Sequence, residues 1–249
     1  MENRKITSIL LTDEDLKPVN LYRSEVPDLE NIFSAMTHEL RTPVAVIQSN
    51  VELLSQKDIQ LDESMKDDCL SMCADSNEII RKFLNQLQFL LSAFRNEVKP
   101  NLSAFRIREI CQNQISELRK LNFDVKRISI HWDTKVEELI SDPDFTGRIL
   151  LHLLTNALKF SRKDILLGIS AKEGKLTLKV QDFGSGIPEN EQELIFIPFH
   201  RSENVKRISG MGLGLAEVKI MTECLGGEIS LVSAIDTGTI FQVSIPYTL

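Results

Sequence analysis

The sequence predicts an α+β protein: a helical hairpin forming a dimeric four-helix bundle, followed by an α/β sandwich domain with a mixed sheet. Three observations carry that prediction. No glycine occurs before residue 147 and ten of the eleven lie after residue 160, so the first hundred residues lack the residue that most readily interrupts a helix. Up to Phe94 the apolar residues recur at spacings of three and four, the period of a helix with one buried face. After Lys99-Pro100 strand and helix signals alternate, as expected of helices laid on a sheet. The expected division is residues 1–28, a segment of unassigned role, then 29–98 and 99–249.

In the first segment, ILLTDEDLKPVNLY reads either as a small hairpin or as the remnant of an input module. The stretch Phe33 to Leu54 is the first clear helix, with Phe33, Met36, Leu40, Val44, Ile47, Val51 and Leu54 in one apolar stripe. His38 lies roughly 165° from the centre of that stripe, and Thr42 shares its side one turn on. An imidazole held on the wet face of a helix is placed to act as a nucleophile, and Glu39 beside it can accept or orient its proton. Pro43 removes one backbone hydrogen bond, so a kink is expected just past His38. A polar link, Gln56 to Leu61, leads to a second helix capped by Asp62 or Ser64. Its positions Met65, Cys69, Met72, Ser76, Ile79, Phe83, Leu87, Leu90 and Phe94 form a seam that Cys73, Ile80, Leu84 and Leu91 widen. One hairpin cannot cover stripes that broad, so a second copy is expected to complete a four-helix bundle.

Beyond Pro100, helices are expected over Ala104 to Leu121, Asp144 to Phe160 and Leu213 to Leu225, with a short turn from Glu189 to Ile195. Strands are expected over Arg127 to Trp132, Ile165 to Ala171, Lys175 to Gln181, Glu228 to Val232 and Thr239 to Ile245. Four scattered cysteines, Cys69, Cys73, Cys111 and Cys224, have neither zinc-site spacing nor the density of a disulfide scaffold and read as core filling. A net charge of −7 without a long basic run argues against nucleic-acid or anionic-membrane binding. No apolar run approaches the roughly 20 residues of a membrane span, and Met1 leads into polar residues, so a cytoplasmic location is expected.

Three further motifs carry chemistry. Asp182-Phe183-Gly184-Ser185-Gly186-Ile187 follows a strand, fixing a carboxylate beside glycines that permit close backbone approach; such an Asp can accept from an exocyclic amine. Gly210-Met211-Gly212-Leu213-Gly214-Leu215 opens a helix whose first N–H groups favour phosphate oxygens. Its spacing is GxGxG with no strand immediately before it, which fails the context of a dinucleotide fold. In GRILLHLLTNALKFS, His152, Asn156 and Lys159 share one side of a helix; an Asn oxygen suits Mg²⁺ beside phosphate, and a Lys neutralises phosphate charge.

Taken together, THELRTP, LLTNALKFS, DFGSGIP, IFIPFHR, GMGLGLAEVK and the closing LGGEIS and GTIFQVSIP resemble the ordered boxes of the sensor histidine kinases of two-component systems, from about Asn31 to the C-terminus. The resemblance implies a dimerisation and histidine phosphotransfer hairpin followed by a Bergerat-type ATP-binding domain. It implies ATP with its adenine against Asp182, Mg²⁺ on Asn156, and phosphates near Lys159 and the Gly210 to Gly214 loop. The nucleotide site it implies also takes in Phe160, Gly184, Gly186, Ile187, Phe199, Arg201, Gly212, Leu213 and Leu215, with a lid between Arg201 and Ser209. By the same resemblance His38 attacks the γ-phosphate with Glu39 as proton acceptor, and the phosphoryl group passes to an aspartate on a separate response-regulator receiver domain. Thr42 matches the position that orients water in relatives that also dephosphorylate the regulator. Two positions depart: the family usually has Asn at 152 and Gln or Glu at 148. Arg148 cannot serve as a general base, which disfavours a water-activating ATPase. An ATP-binding dimeric scaffold, or a phosphatase-dominant regulator with weak autokinase activity, is the alternative that those two residues leave open.

Overall fold

Helical period and capping decide the first unit. The computed structural model describes residues 17–18, 29–56, 61–201 and 211–249, and the described chain divides into two compact units, 26–98 and 99–249, the latter joined by residues 1–25. Most of the first 28 residues, most of the link after Gln56, and the lid with Gly210 lie outside the described residues.

Helix α1 spans Leu29–Ser55 and runs through Pro43, which is buried. Helix α2 spans Glu63–Phe94. Asp62 caps it, with its side chain accepting from the Met65 N–H at 2.8 Å. The buried residues of α2 are Cys69, Ser76, Phe83 and Leu90, an unbroken seven-residue repeat that forms the seam against α1. Cys69 is buried and Cys73 half-buried, both as free thiols packed in the hairpin.

The second unit begins with a difference from expectation. Ala104 and Phe105 do not start a helix; Ser103–Phe105 forms strand β2, and helix α3 follows only at Ile107–Lys120. Strand β2 pairs antiparallel with β4, Leu139–Ser141, a strand that the sequence reading did not contain. Two apolar residues fit either period, and the long-range pairing settles which is adopted. Asp142 fixes the corner: buried at 3% exposure, it accepts from the Phe145 N–H at 2.9 Å as the cap of helix α4, Pro143–Phe160, and from the Asn101 N–H at 2.7 Å.

Strands β3 (Ile128–Asp133), β5 (Ile165–Lys172), β6 (Lys175–Asp182), β7 (Glu228–Ala234) and β8 (Gly238–Pro246) lie close to their expected spans. They form a mixed sheet with the short strand β1, Lys17–Pro18, at one edge, in the order β1-β7-β8-β6-β5-β3. Among the described strands only β3 and β5 pair in parallel, the geometry that needs a crossover, and α4 supplies it. The β5–β6 hairpin turns at Glu173 and Gly174, both with positive φ (52° and 73°), the turn that matches strand twist. Strand β1 pairs antiparallel with β7, Lys17 opposite Leu231 and Pro18 opposite Ser230; the rest of ILLTDEDLKPVNLY lies outside the described residues. Helix α5, Gly214–Cys224, packs with α4 over the sheet, and Leu150, Leu153, Leu154, Leu167, Leu178 and Val243 are all fully buried between the layers. Cys111 joins this core, and burial pushes its thiol up to about 12, out of reach of ordinary thiolate chemistry.

Candidate functional site

The sheet face that buries Leu176, Leu178 and Val180 also buries Asp182, because alternate residues of β6 share one side. Asp182 is the last residue of that strand and is 6% exposed. Burial pushes its carboxyl up to about 6, against the opposing pull of the Gly184 and Thr239 N–H groups that donate to it. The Gly184 bond is 2.8 Å long.

The loop after Asp182 touches backbone on both sides. A Cβ at Gly184 would stand 2.2 Å from the Phe160 carbonyl oxygen, and one at Gly186, where φ is 68°, would stand 1.9 Å from that of Ala234. Ile187 donates its N–H to Ser233 Oγ at 2.8 Å, and Gln192 bridges the carbonyls of Ile187 and Ser233. Ser233 and Gln192 were absent from the sequence reading; both are ordinary surface residue types, and only their long-range bonds single them out.

The second glycine run leads into helix α5. Phe199, at φ 67°, donates its N–H to the Gly212 carbonyl at 3.0 Å, joining described residues on either side of the stretch expected to be a lid. Gly212 also has positive φ, and a Cβ there would stand 2.6 Å from the His200 carbonyl oxygen. Leu213 is buried as the cap of α5, Gly214 and Leu215 open that helix, and Arg201 is half-buried at the other end of the lid segment. Asn156, Lys159 and Phe160 are half-buried on the last two turns of α4. The end of α4 is held by Arg127, whose guanidinium donates to the carbonyls of Leu158, Ser161 and Lys163.

The two unusual positions on α4 share a partner. Arg148 and His152 both bond Glu217, a buried residue on α5 that the sequence reading did not single out. Burial works to raise its carboxyl, but His152 and Arg148 outweigh it, and the group lies below the usual carboxylate range. The available signal was an acidic residue between Ala216 and Val218, on a helix buried nearly all round.

In the hairpin unit, the His38 side chain is 76% exposed, and its Nδ1 lies 3.8 Å from Glu39 Oε1. Nδ1 faces the carboxylate, which leaves Nε2 as the ring's outward nitrogen. Thr42 is exposed one turn further on. Among the described residues no group of three or more His, Cys, Asp or Glu side chains is placed to hold a metal ion, so a cation here would depend on the Asn156 oxygen and on oxygens brought by a ligand.

Comparison with known proteins adds a second line of support. The family model described as His Kinase A (phospho-acceptor) domain matches residues 28–93, and that described as histidine kinase-, DNA gyrase B- and HSP90-like ATPase matches residues 141–249. The signal transduction histidine-protein kinase ArlS of Staphylococcus aureus is 27% identical over 211 residues, covering 83% of this chain and 46% of that protein. The chain thus spans about half the length of the relatives it matches. Among solved structures, the histidine kinase AdeS of Acinetobacter baumannii covers 84% of this chain, and 97% of its own, at 21% identity and a TM-score of 0.61. The histidine kinase ThkA, solved with the response regulator protein TrrA, covers 88% of this chain and 61% of its own at 20% identity and a TM-score of 0.59. At those identities the two structures speak for the fold.

Proposed function

Because this chain belongs to the sensor histidine kinases, with a phospho-acceptor domain ahead of a histidine kinase-type ATPase domain, we propose that it uses ATP to phosphorylate His38 and passes the phosphoryl group to an aspartate of a response-regulator receiver domain. The observation that carries this is the pairing of an exposed histidine, backed by a carboxylate on Nδ1, with a buried carboxylate closing a glycine loop in the same chain. His38 Nε2 attacks the γ-phosphorus, an N–P bond forms as the P–O bond to ADP breaks, and the Nδ1 proton passes to Glu39. There is little else for side chains to do in such a transfer beyond positioning and charge neutralisation.

The ATPase unit supplies those. Ionised Asp182 accepts from the adenine amine, the glycines of both loops let backbone approach the nucleotide, and Lys159 faces phosphate charge. Asn156 offers one hard oxygen, which fits Mg²⁺ because that ion completes its shell with phosphate oxygens and water. Incubation with γ-labelled ATP and Mg²⁺, followed by addition of a receiver domain, tests the whole reading: label on the protein that is acid-labile and base-stable supports it, and an unlabelled wild type refutes it.

Asp182 makes nucleotide affinity depend on pH in a stated direction. Its carboxyl titrates near 6 when folded against 3.8 ordinarily, so the folded protein takes up a proton as pH falls through 6 and loses the ionised acceptor. Adenosine affinity is expected to fall below about pH 6 and to be flat above it; Asp182→Asn should be weak at every pH and show no such step. The sign for stability is the reverse. Between the two pKa values the folded state binds more protons than the unfolded, so this group's contribution declines by about 2 kcal/mol as pH rises from 4 to 6. A wild-type binding curve flat through pH 6 would contradict the role given to Asp182.

The hairpin is proposed to pair with a second copy. Val44 and Val51 on α1, and Met65, Met72 and Ile79, then Leu84 and Leu91, on α2, are all about half exposed and recur at seven-residue intervals. Such repeats are seams for another helix, and left open they would expose more apolar surface than a soluble monomer usually does. Leu84→Glu with Leu91→Glu is expected to halve the mass seen by light scattering; an unchanged dimer, or a monomeric wild type, would overturn the pairing.

A further inference from the structure

Arg148, His152 and Glu217 meet behind the second glycine loop, and none of the roles above uses them. Arg148 and His152 sit one turn apart on α4, and Glu217 comes from the first turn of α5. Glu217 Oε2 lies 2.7 Å from His152 Nε2 and 3.1 Å from Arg148 Nη2. Asp144, exposed and one turn before Arg148, stands 3.6 Å from the same guanidinium. The Glu217 side chain is 1% exposed, and its other oxygen, Oε1, is buried with no hydrogen-bond partner among the described residues.

Stability does not account for this cluster. Desolvating a carboxylate and leaving one oxygen unbonded is unfavourable, and buried ionic clusters are often less stable than apolar side chains of the same volume. What sets the cluster apart is its neighbour. A Cβ at Gly214 would stand 3.0 Å from His152 Nδ1, so the imidazole lies directly against the residue that opens α5. An ionised carboxylate only accepts, so His152 donates from Nε2 toward Glu217 and turns Nδ1 toward Gly214. Arg148 meanwhile balances a negative charge that would otherwise repel phosphate.

We propose that Glu217 is a positioning residue for the triphosphate: by holding His152 against Gly214 it fixes Asn156 on α4 and the glycine-led start of α5 in a single register on the phosphate side of the nucleotide. This rests on the ATP reading above. It also gives Arg148 and His152, the two positions that depart from the family pattern, one joint task.

The test compares ATP with adenosine as competitors of a fluorescent nucleotide on the full chain. Glu217→Gln is expected to weaken ATP by on the order of tenfold and to leave adenosine within about twofold. In a His152→Ala background the same substitution should have almost no further effect on ATP, because it acts through that ring. Equal losses for ATP and adenosine, or additive losses in the double variant, would overturn the positioning role. Should Glu217→Gln fail to fold, Arg148→Met with Glu217→Leu replaces the charges at similar volume; it is expected to lose the preference for ATP over adenosine, and an intact preference overturns the role. A wild type that binds neither competitor is a separate result, one that removes the ATP reading and this role together.

Discussion

His38→Gln is expected to abolish covalent labelling from γ-labelled ATP while leaving ATP affinity and melting temperature at wild-type values. The side chain is 76% exposed, so the substitution removes almost no packing and should shift stability by no more than about 0.5 kcal/mol. Glutamine keeps the polarity and much of the size of the imidazole but has no nitrogen that can carry a phosphoryl group. All the residues proposed to bind nucleotide belong to the other compact unit, which accounts for the unchanged affinity. Glu39→Gln should slow labelling without preventing it, since the proton released from Nδ1 can still leave through water. Residual label on the His38 variant would place the acceptor elsewhere and end the proposed mechanism.

Gly186→Ala should be as damaging by a different physical route. Its φ of 68° costs an alanine about 1–2 kcal/mol, and the added carbon would stand 1.9 Å from the Ala234 carbonyl oxygen, so the loop between Asp182 and Ile187 must move. The bond from the Ile187 N–H to Ser233 would be lost with that movement. We expect nucleotide affinity to fall by about 100-fold or more, measured by fluorescent-nucleotide displacement. Gly174→Ala is the control. Its φ of 73° is nearly the same, but the nearest atom to its Cβ is 3.7 Å away, so it should lose about 1 kcal/mol of stability and bind ATP normally. Equal affinity in the two variants would show that the Gly186 contact is not what holds the site open.

The contrast between those glycines marks what a sequence shows and what it hides. DFGSGIP announces a tight turn, but the backbone that its glycines touch belongs to Phe160 and Ala234, both distant along the chain. The long helices were legible because their cause is local: a seven-residue repeat of apolar positions and an Asp62 cap. Strands β5 to β8 were legible because alternation and turn residues bound them. Strands β2 and β4 were not, since three residues carry no period and their pairing is fixed by Asp142 gripping Asn101. The site divides in the same way. His38, Asn156, Asp182 and the glycines could be named from their neighbours in the chain, whereas Glu217 acquires meaning only from Arg148 and His152, sixty-five and more positions away.

Strand β1 alters how the molecule is wired. Lys17 and Pro18 lie on the β7 edge of the large sheet, yet the chain then leaves that sheet, makes the whole of α1 and α2, and returns to it first at β3. In sequence, the helical unit is therefore an insertion between the first and later strands of that sheet. A chain trimmed to begin at α1 would lose an edge strand of that sheet along with its first residues.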